Sequence, residues 1–278
     1  MIYGNSQLQR LWDAELEIMD VIHDFCAAHG LRYTLAFGTL IGAVRHGGFI
    51  PWDDDIDIVM PRQDYNRLIA LWDTTAPTGY LLQYKENAPD FEQNFVKIRK
   101  DHTAFLQDER ERDKAYHKGI FVDIAPCDRA APGRLSRGLQ YFACAVELLY
   151  SKEHISGRGG LSGFIERLLL CAPKGMRPLL RRKARACMSR WNDREDLPLF
   201  CSDTIENCRR YFPADMLGGY RLVPFQGHFY HAILSPEDFL KVRYGDYMQL
   251  PPEAERAWKH HPILIDFEHN YEELTGQQ

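Results

Sequence analysis

The 278-residue chain has no C-x-x-C pair among its seven cysteines. An odd cysteine count without that pairing argues against a disulfide framework and for reduced thiols in a cytosolic setting. Cys187, Cys201 and Cys208 could supply at most half of a metal site, since no further pair at zinc spacing completes it. Long apolar runs are also missing: no segment approaches the ~20 residues that span a bilayer. The opening stretch, MIYGNSQLQRLWDAELEIMD, carries acids where a secretory signal needs a basic start and an apolar run. A cytoplasmic protein is expected. Excess positive charge is lacking too, and a net charge of -5 at pH 7 argues against a general nucleic-acid binder. Neither G-x-x-x-x-G-K-[ST] nor G-x-G-x-x-G occurs, which removes a Walker loop and a dinucleotide fingerprint. G-x-S-x-G is absent as well, and with it the serine nucleophile that motif carries. There is no internal repeat and no low-complexity linker.

What is present starts with helical spacing at Leu8, Leu11, Trp12, Leu16, Met19, Ile22 and Phe25, ended by Gly30. RYTLAF (32–37) and IDIVM (56–60) read as strands, and DYNRLIALW as a helix that Asp64 is placed to cap. A further strand pair is expected at FVKIRK (95–100) and GIFVDIAP (119–126). From about Ala130 to Phe212 the pattern turns to leucine- and arginine-rich helices, expected to be helical throughout. Between Arg158 and Arg194 ten Lys or Arg face two acids, either as a solvated face or as a contact for lipid headgroups or a phosphate-bearing acceptor. RLVPFQGHFYHAI (221–233) predicts a hairpin turning at Gln226-Gly227, and Ser235-Pro236-Glu237-Asp238 a helix start. The expected division is a catalytic core over 1–130, a basic helical subdomain over 131–212, and a C-terminal hairpin and helix over 213–278 that complete the site.

The chemistry concentrates in FGTLIGAVRHGGFIPWDDDIDIVM (37–60). Side chains alternate along a strand, so Asp55 and Asp57 share one face while Ile56 and Ile58 enter the core. Two adjacent carboxylates repel unless a cation or a proton lies between them, and a hard divalent ion such as Mg²⁺ or Mn²⁺ meets that need. Asp123 offers a third carboxylate from a neighbouring strand. An EF-hand beginning at Asp53 would need glycine and glutamate where the chain has Ile58 and Asp64. Gly38-Thr39 sit between a strand and a helix, where free N–H groups and a hydroxyl can receive phosphate oxygens. Arg45 can grip a diphosphate bidentately, and Gly47-Gly48 either admit a ligand closely or form an ordinary loop. Lys97 and Arg99 share a strand face and are either further diphosphate partners or a solvated face.

Taken in order, these pieces closely resemble the signature of the LicD family, which includes bacterial phosphocholine transferases and the fukutin-related proteins. GIFVDIAPCD is similar to that family's second acidic strand, and YGDYMQLPP followed by HH resembles its C-terminal motif. The resemblance covers about residues 20–128 and 221–262. It implies an α+β, nucleotidyltransferase-like mixed sheet flanked by helices, with a helical insertion. It also implies metal-dependent transfer of a phospho-alcohol from a CDP-linked donor to a sugar hydroxyl, with CMP leaving. Phosphocholine is the first candidate, phosphoribitol or phosphoglycerol the others, and the acceptor a glycan or lipid-linked oligosaccharide. On the same resemblance, Asp55, Asp57 and Asp123 become metal ligands, Gly38 and Thr39 lie beside the donor phosphates, and Asp53 is an outer acid or the base. His260 and His261 join the site by family pattern alone. From the aspartates by themselves, a D-x-D glycosyltransferase or a non-catalytic cation- and membrane-binding protein stays open.

Overall fold

The computed structural model describes residues 5–152, 160–258, 260 and 262–276. Its helices are α1 (Asn5–His29), α2 (Phe37–His46), α3 (Arg62–Thr75), α4 (Arg134–Lys152), α5 (Gly160–Leu170), α6 (Arg177–Met188), α7 (Pro236–Tyr244) and α8 (Tyr271–Thr275). The strands of the first half are β1 (Thr34–Leu35), β2 (Asp57–Pro61), β3 (Tyr80–Gln83), β4 (Val96–Lys100), β5 (Ala104–Leu106) and β6 (Phe121–Arg129). Those of the second half are β7 (Leu199–Cys201), β8 (Tyr220–Phe225), β9 (His228–Ile233) and β10 (Leu264–Asp266).

A mixed sheet runs β1-β2-β6-β4-β3, with β7 also paired to β6. β2 and β6 are parallel, and the remaining pairs of this sheet are antiparallel. The nine-residue β6, FVDIAPCDR, is buried from Phe121 through Asp128. A strand buried this fully is usually an unbroken apolar run, so its two acids, Asp123 and Asp128, call for partners. The apolar face of α1 (Leu11, Ile18, Met19, Ile22) joins Ile58, Val59, Val122 and Ile124 in the main core. The mixed α/β architecture agrees with the expectation from sequence.

A smaller core holds Ala143, Cys144 and Tyr150 of α4 against Ala184 and Met188 of α6 and Phe200 of β7. The stretch read as helical throughout therefore ends in a strand: Cys127 pairs with Cys201, and Leu199 with Arg129. Three residues are too few to show a period of two, and the tertiary partner β6 makes the strand. The basic face is also partly internal. Glu147, fully buried, accepts from Arg181 Nη2 at 2.9 Å and Arg185 Nε at 2.7 Å. Arg181 is buried and Arg185 is part-exposed, and both are tied to Glu147.

Two helix starts depart from expectation in detail. β2 runs straight into α3, leaving no loop for a cap, so Asp64 lies in the helix's first turn and accepts from Arg32 Nε at 2.6 Å. α7 starts at Pro236 as expected, but Ser235 makes no side-chain cap. The hairpin turns where predicted: Gln226 and Gly227 have φ of 51° and 86°, the left-handed pair of a tight two-residue hairpin turn.

Candidate active site

The α2 N-terminus and the start of β2 are tied together by their backbones. Ala36 N–H donates to the Asp57 carbonyl at 3.0 Å, and Asp57 N–H donates to Thr39 Oγ1 at 2.8 Å. Thr39 is thus buried as an acceptor for the strand that carries Asp57. Phe37, the first residue of α2, has φ of 46°, a left-handed value rarely tolerated by an aromatic residue. Such strain persists where the surroundings over-determine it, and Phe37 and Gly38 at the start of α2 line the same cavity as Asp57.

Asp57 and Asp123 are register partners on the parallel strands β2 and β6, and Asp123 faces Lys97 across β4. Lys97 Nζ lies 2.6 Å from Asp123 Oδ1 and 3.2 Å from the centre of the Phe121 ring. Burial pulls the Lys97 ammonium below its ordinary range, against the opposing pull of Asp123. Asp57 and Asp123 open with Gly38 on a cavity of ≈ 540 Å³. Its far wall comes from the helical subdomain: Leu148, Leu149 and Lys152 of α4, then Asp203 and Asn207 after β7. Asn207 Nδ2 donates to both Asp203 oxygens, at 3.0 and 2.8 Å.

The preceding turn adds three buried carboxylates, Asp53, Asp54 and Asp55. His260 caps Asp54, donating its backbone N–H to Oδ2 at 3.0 Å with Nδ1 3.0 Å from Oδ1. Its Nε2 lies 3.9 Å from Asp55 Oδ2. Burial alone would lower His260, but the Asp54 hydrogen bond and the charges of Asp55 and Asp54 raise it above the ordinary imidazole range. Asp54, Asp55 and His260 offer ligand atoms within 4.8 Å of one another, the one such group of three among the described residues.

Glu15 was not singled out by the sequence reading, although it falls four residues after Leu11 and four before Met19, on the apolar face of α1. A carboxylate in that register was the available signal. Glu15 is 1 % exposed, and its Oε2 has no hydrogen-bond partner among the described residues. Burial, then Asp55, Asp54, Asp53 and Asp123, push its carboxyl well above the ordinary 4.5. An acid raised in the folded state keeps a proton that the unfolded chain releases, so its contribution to stability is lost as pH rises above the ordinary value. In metal-free buffer, Glu15→Gln is expected to raise the denaturation midpoint at about pH 8 and to change it little at about pH 4. Equal shifts at both values in chemical unfolding would contradict the raised carboxyl.

Other predicted residues lie elsewhere. Arg45 is seven residues beyond Gly38 on α2, about 10 Å along the axis at helical rise. It donates to the Tyr247 carbonyl at 2.6 Å and does not line the cavity. Arg99 is engaged by Gln83 at 2.5 Å and the Gly119 carbonyl at 2.6 Å, farther along β4 than Lys97. The Gly47-Gly48 pair closes on the protein itself: Gln226 N–H donates to the Gly47 carbonyl at 2.8 Å, and a Cβ on Gly48 would meet Gln226 Oε1 at 2.2 Å. His261 lies outside the described residues. Cys201 packs on Cys127 and Cys208 on Cys144. No cysteine joins a group of three metal-ligating side chains among the described residues.

Five buried carboxyls, from Glu15, Asp53, Asp54, Asp55 and Asp123, thus crowd one end of the sheet. A mostly oxygen donor set of this density fits a hard divalent cation.

Residues 30–127 match the LicD/FKTN/FKRP nucleotidyltransferase domain. Across 253 residues the chain is 28% identical to the lipopolysaccharide cholinephosphotransferase LicD of Haemophilus influenzae, covering 88% of this chain and 92% of that protein. It is 35% identical over 69 residues to an uncharacterized protein of Rickettsia prowazekii, 25% of this chain and 26% of the relative. A 37-residue stretch, 13% of this chain, is 51% identical to 8% of the human ribitol 5-phosphate transferase FKRP.

Proposed function

We propose that this chain, whose residues 30–127 match the LicD/FKTN/FKRP domain, acts as a member of the LicD family and transfers a phospho-alcohol from a CDP-linked donor to a sugar hydroxyl of a glycan or glycolipid. It is a LicD-type phosphotransferase, with phosphocholine the first candidate and phosphoribitol or phosphoglycerol the others. The observation that carries the reading is the pairing of Asp57 with Asp123 at the mouth of one cavity, beside the α2 N-terminus.

In the proposed reaction the acceptor oxygen bonds to the phosphorus bearing the alcohol, the bond from that phosphorus to the bridging oxygen breaks, and CMP leaves with the electron pair. Positioning and charge neutralisation are the main requirements of such chemistry. Asp55, grouped with Asp54 and His260, and Asp57 and Asp123 on the adjoining strands would hold Mg²⁺ or Mn²⁺, which supplies neutralisation of the donor diphosphate. The N–H groups opening α2 receive phosphate oxygens, Lys97 holds Asp123 in place, and Asp53 is the proposed acceptor of the hydroxyl proton. Contact of the basic helices 158–194 with the cytoplasmic face of a membrane, where a lipid-linked acceptor resides, belongs to the same reading.

Incubating the protein with CDP-choline, CDP-ribitol and CDP-glycerol, with Mg²⁺ or Mn²⁺ and a glycan acceptor, is expected to give CMP and a phosphodiester-linked product with one donor above the others. Chelation is expected to stop it. A glycosyltransferase would release a nucleoside diphosphate from a sugar nucleotide, and that product by mass spectrometry would overturn the proposal.

A further inference from the structure

The helical subdomain leaves large apolar side chains uncovered in a pattern. On α4, Leu135, Leu139 and Phe142 follow one another at i, i+4 and i+7, with exposures of 88%, 66% and 47%. On α5, which packs on α4 through the Tyr150 hydroxyl donating to the Leu169 carbonyl, Phe164 and Leu168 repeat the spacing at 63% each. Such stripes are costly in water and mark a surface that something covers.

Charge identifies the occupant. Exposed Arg134 precedes Leu135, exposed Arg167 lies between Phe164 and Leu168, and Lys174, Arg182 and Lys183 are exposed just beyond. None of these five forms an ion pair among the described residues, in contrast to Arg181 and Arg185, which are committed to Glu147. Apolar side chains interleaved with unpaired basic ones suit an anionic bilayer: the hydrocarbon part accepts leucine and phenylalanine, and the headgroups accept arginine and lysine. A second copy of the chain would bring like charges together on the same face. No helix among the described residues is long and apolar enough to cross a membrane.

We infer that the outer face of α4 and α5 is a docking surface for an anionic lipid bilayer. The α4 stripe continues beyond Phe142 at Ala145 and Leu149, which wall the cavity holding Asp57 and Asp123. Docking therefore sets the cavity beside the lipid surface. That last step rests on the proposed transfer to a glycolipid; the docking itself does not.

The test is flotation of the full chain with vesicles of phosphatidylcholine, with and without phosphatidylglycerol. The protein is expected to float with the mixed vesicles, to be released by high salt, and to bind pure phosphatidylcholine about ten-fold or more weakly. Leu139→Ser with Phe142→Ser, and separately Arg134→Glu with Arg167→Glu, are each expected to weaken flotation about ten-fold or more. Both pairs lie outside the cavity and are expected to leave thermal melting and vesicle-free CMP release unchanged. Absence of flotation, flotation unaltered in both variants, or a dimer in sedimentation that Leu139→Ser with Phe142→Ser dissolves would each overturn the inference. Loss of transfer with retained flotation would count against the phosphotransferase reading alone.

Discussion

Asp57→Asn is expected to lower CMP release on the order of 10³-fold, as loss of a charge aimed at the transition state does in other sites, while leaving the fold intact. The backbone of Asp57 is held independently of its carboxylate, by Thr39 Oγ1 at 2.8 Å and by the Ala36 N–H at 3.0 Å. A carboxamide is nearly isosteric, keeps those bonds and removes only the negative charge. Melting temperature is therefore expected to move little, and a calorimetric titration with Mn²⁺ should show weakened binding. Asp123→Asn is expected to be inactive as well but also less stable, because Lys97 Nζ, 2.6 Å from Asp123 Oδ1 and buried, loses its counter-charge. A rate for Asp57→Asn within a few-fold of the parent would remove that carboxylate from the chemistry.

The largest expected effect on stability lies at the opposite end of β6. Asp128 is fully buried and accepts from Arg62 Nε at 3.0 Å, Arg62 Nη2 at 2.6 Å, Asn192 Nδ2 at 2.9 Å and Ser202 Oγ at 2.8 Å. These donors come from α3, from the turn after α6 and from the chain leaving β7, so one carboxylate joins the sheet to the helical subdomain. Asp128→Ala leaves the Arg62 guanidinium buried without a counterion, and breaking such a pair from one side costs about 3–5 kcal/mol. Replacing both residues, as Arg62→Met with Asp128→Leu, is expected to cost less than Asp128→Ala alone, and a double-mutant cycle in urea measures the difference.

The pair also carries a pH dependence. Burial by itself would raise the Asp128 carboxyl, but the charge and hydrogen bonds of Arg62, with Asn192 and Ser202, hold it below the ordinary 3.8. A depressed carboxyl contributes its stability above the ordinary value and loses it as pH falls through the folded one. The parent should therefore lose stability on acidification below about pH 4, and the Asp128→Ala chain should show a shallower slope over that window. Identical slopes would place the acid sensitivity in other groups.

Much of the proposed site is legible in the sequence. The alternation in Asp55-Ile56-Asp57-Ile58 prescribes which side chains enter the core, and Ile56 and Ile58 are fully buried. The strand carrying Asp123 was legible for the same reason. Chemical suitability does not prescribe position. Arg45 and Arg99 are the right residues to grip a diphosphate, yet the rise of α2 carries one away and the core contacts of β4 engage the other. Glu15 and Asp54 were missed because no local pattern links either to partners as remote as Asp123 or His260.

The amino-acid sequence by itself determined α1, the strands that carry Asp57, Lys97 and Asp123, the hairpin at Gln226-Gly227, and the concentration of acids that implies a cation, but not β3 or β5. These follow from interactions among near neighbours, which backbone geometry and residue type dictate. Only the tertiary structure decided that Glu147 draws two arginines together, that α4 walls the cavity toward its C-terminal end and leaves leucine and phenylalanine uncovered nearer its start, and that Lys97 meets Asp123. Each of these depends on which distant segments share a desolvated volume, and that choice is made by the packing of the whole chain.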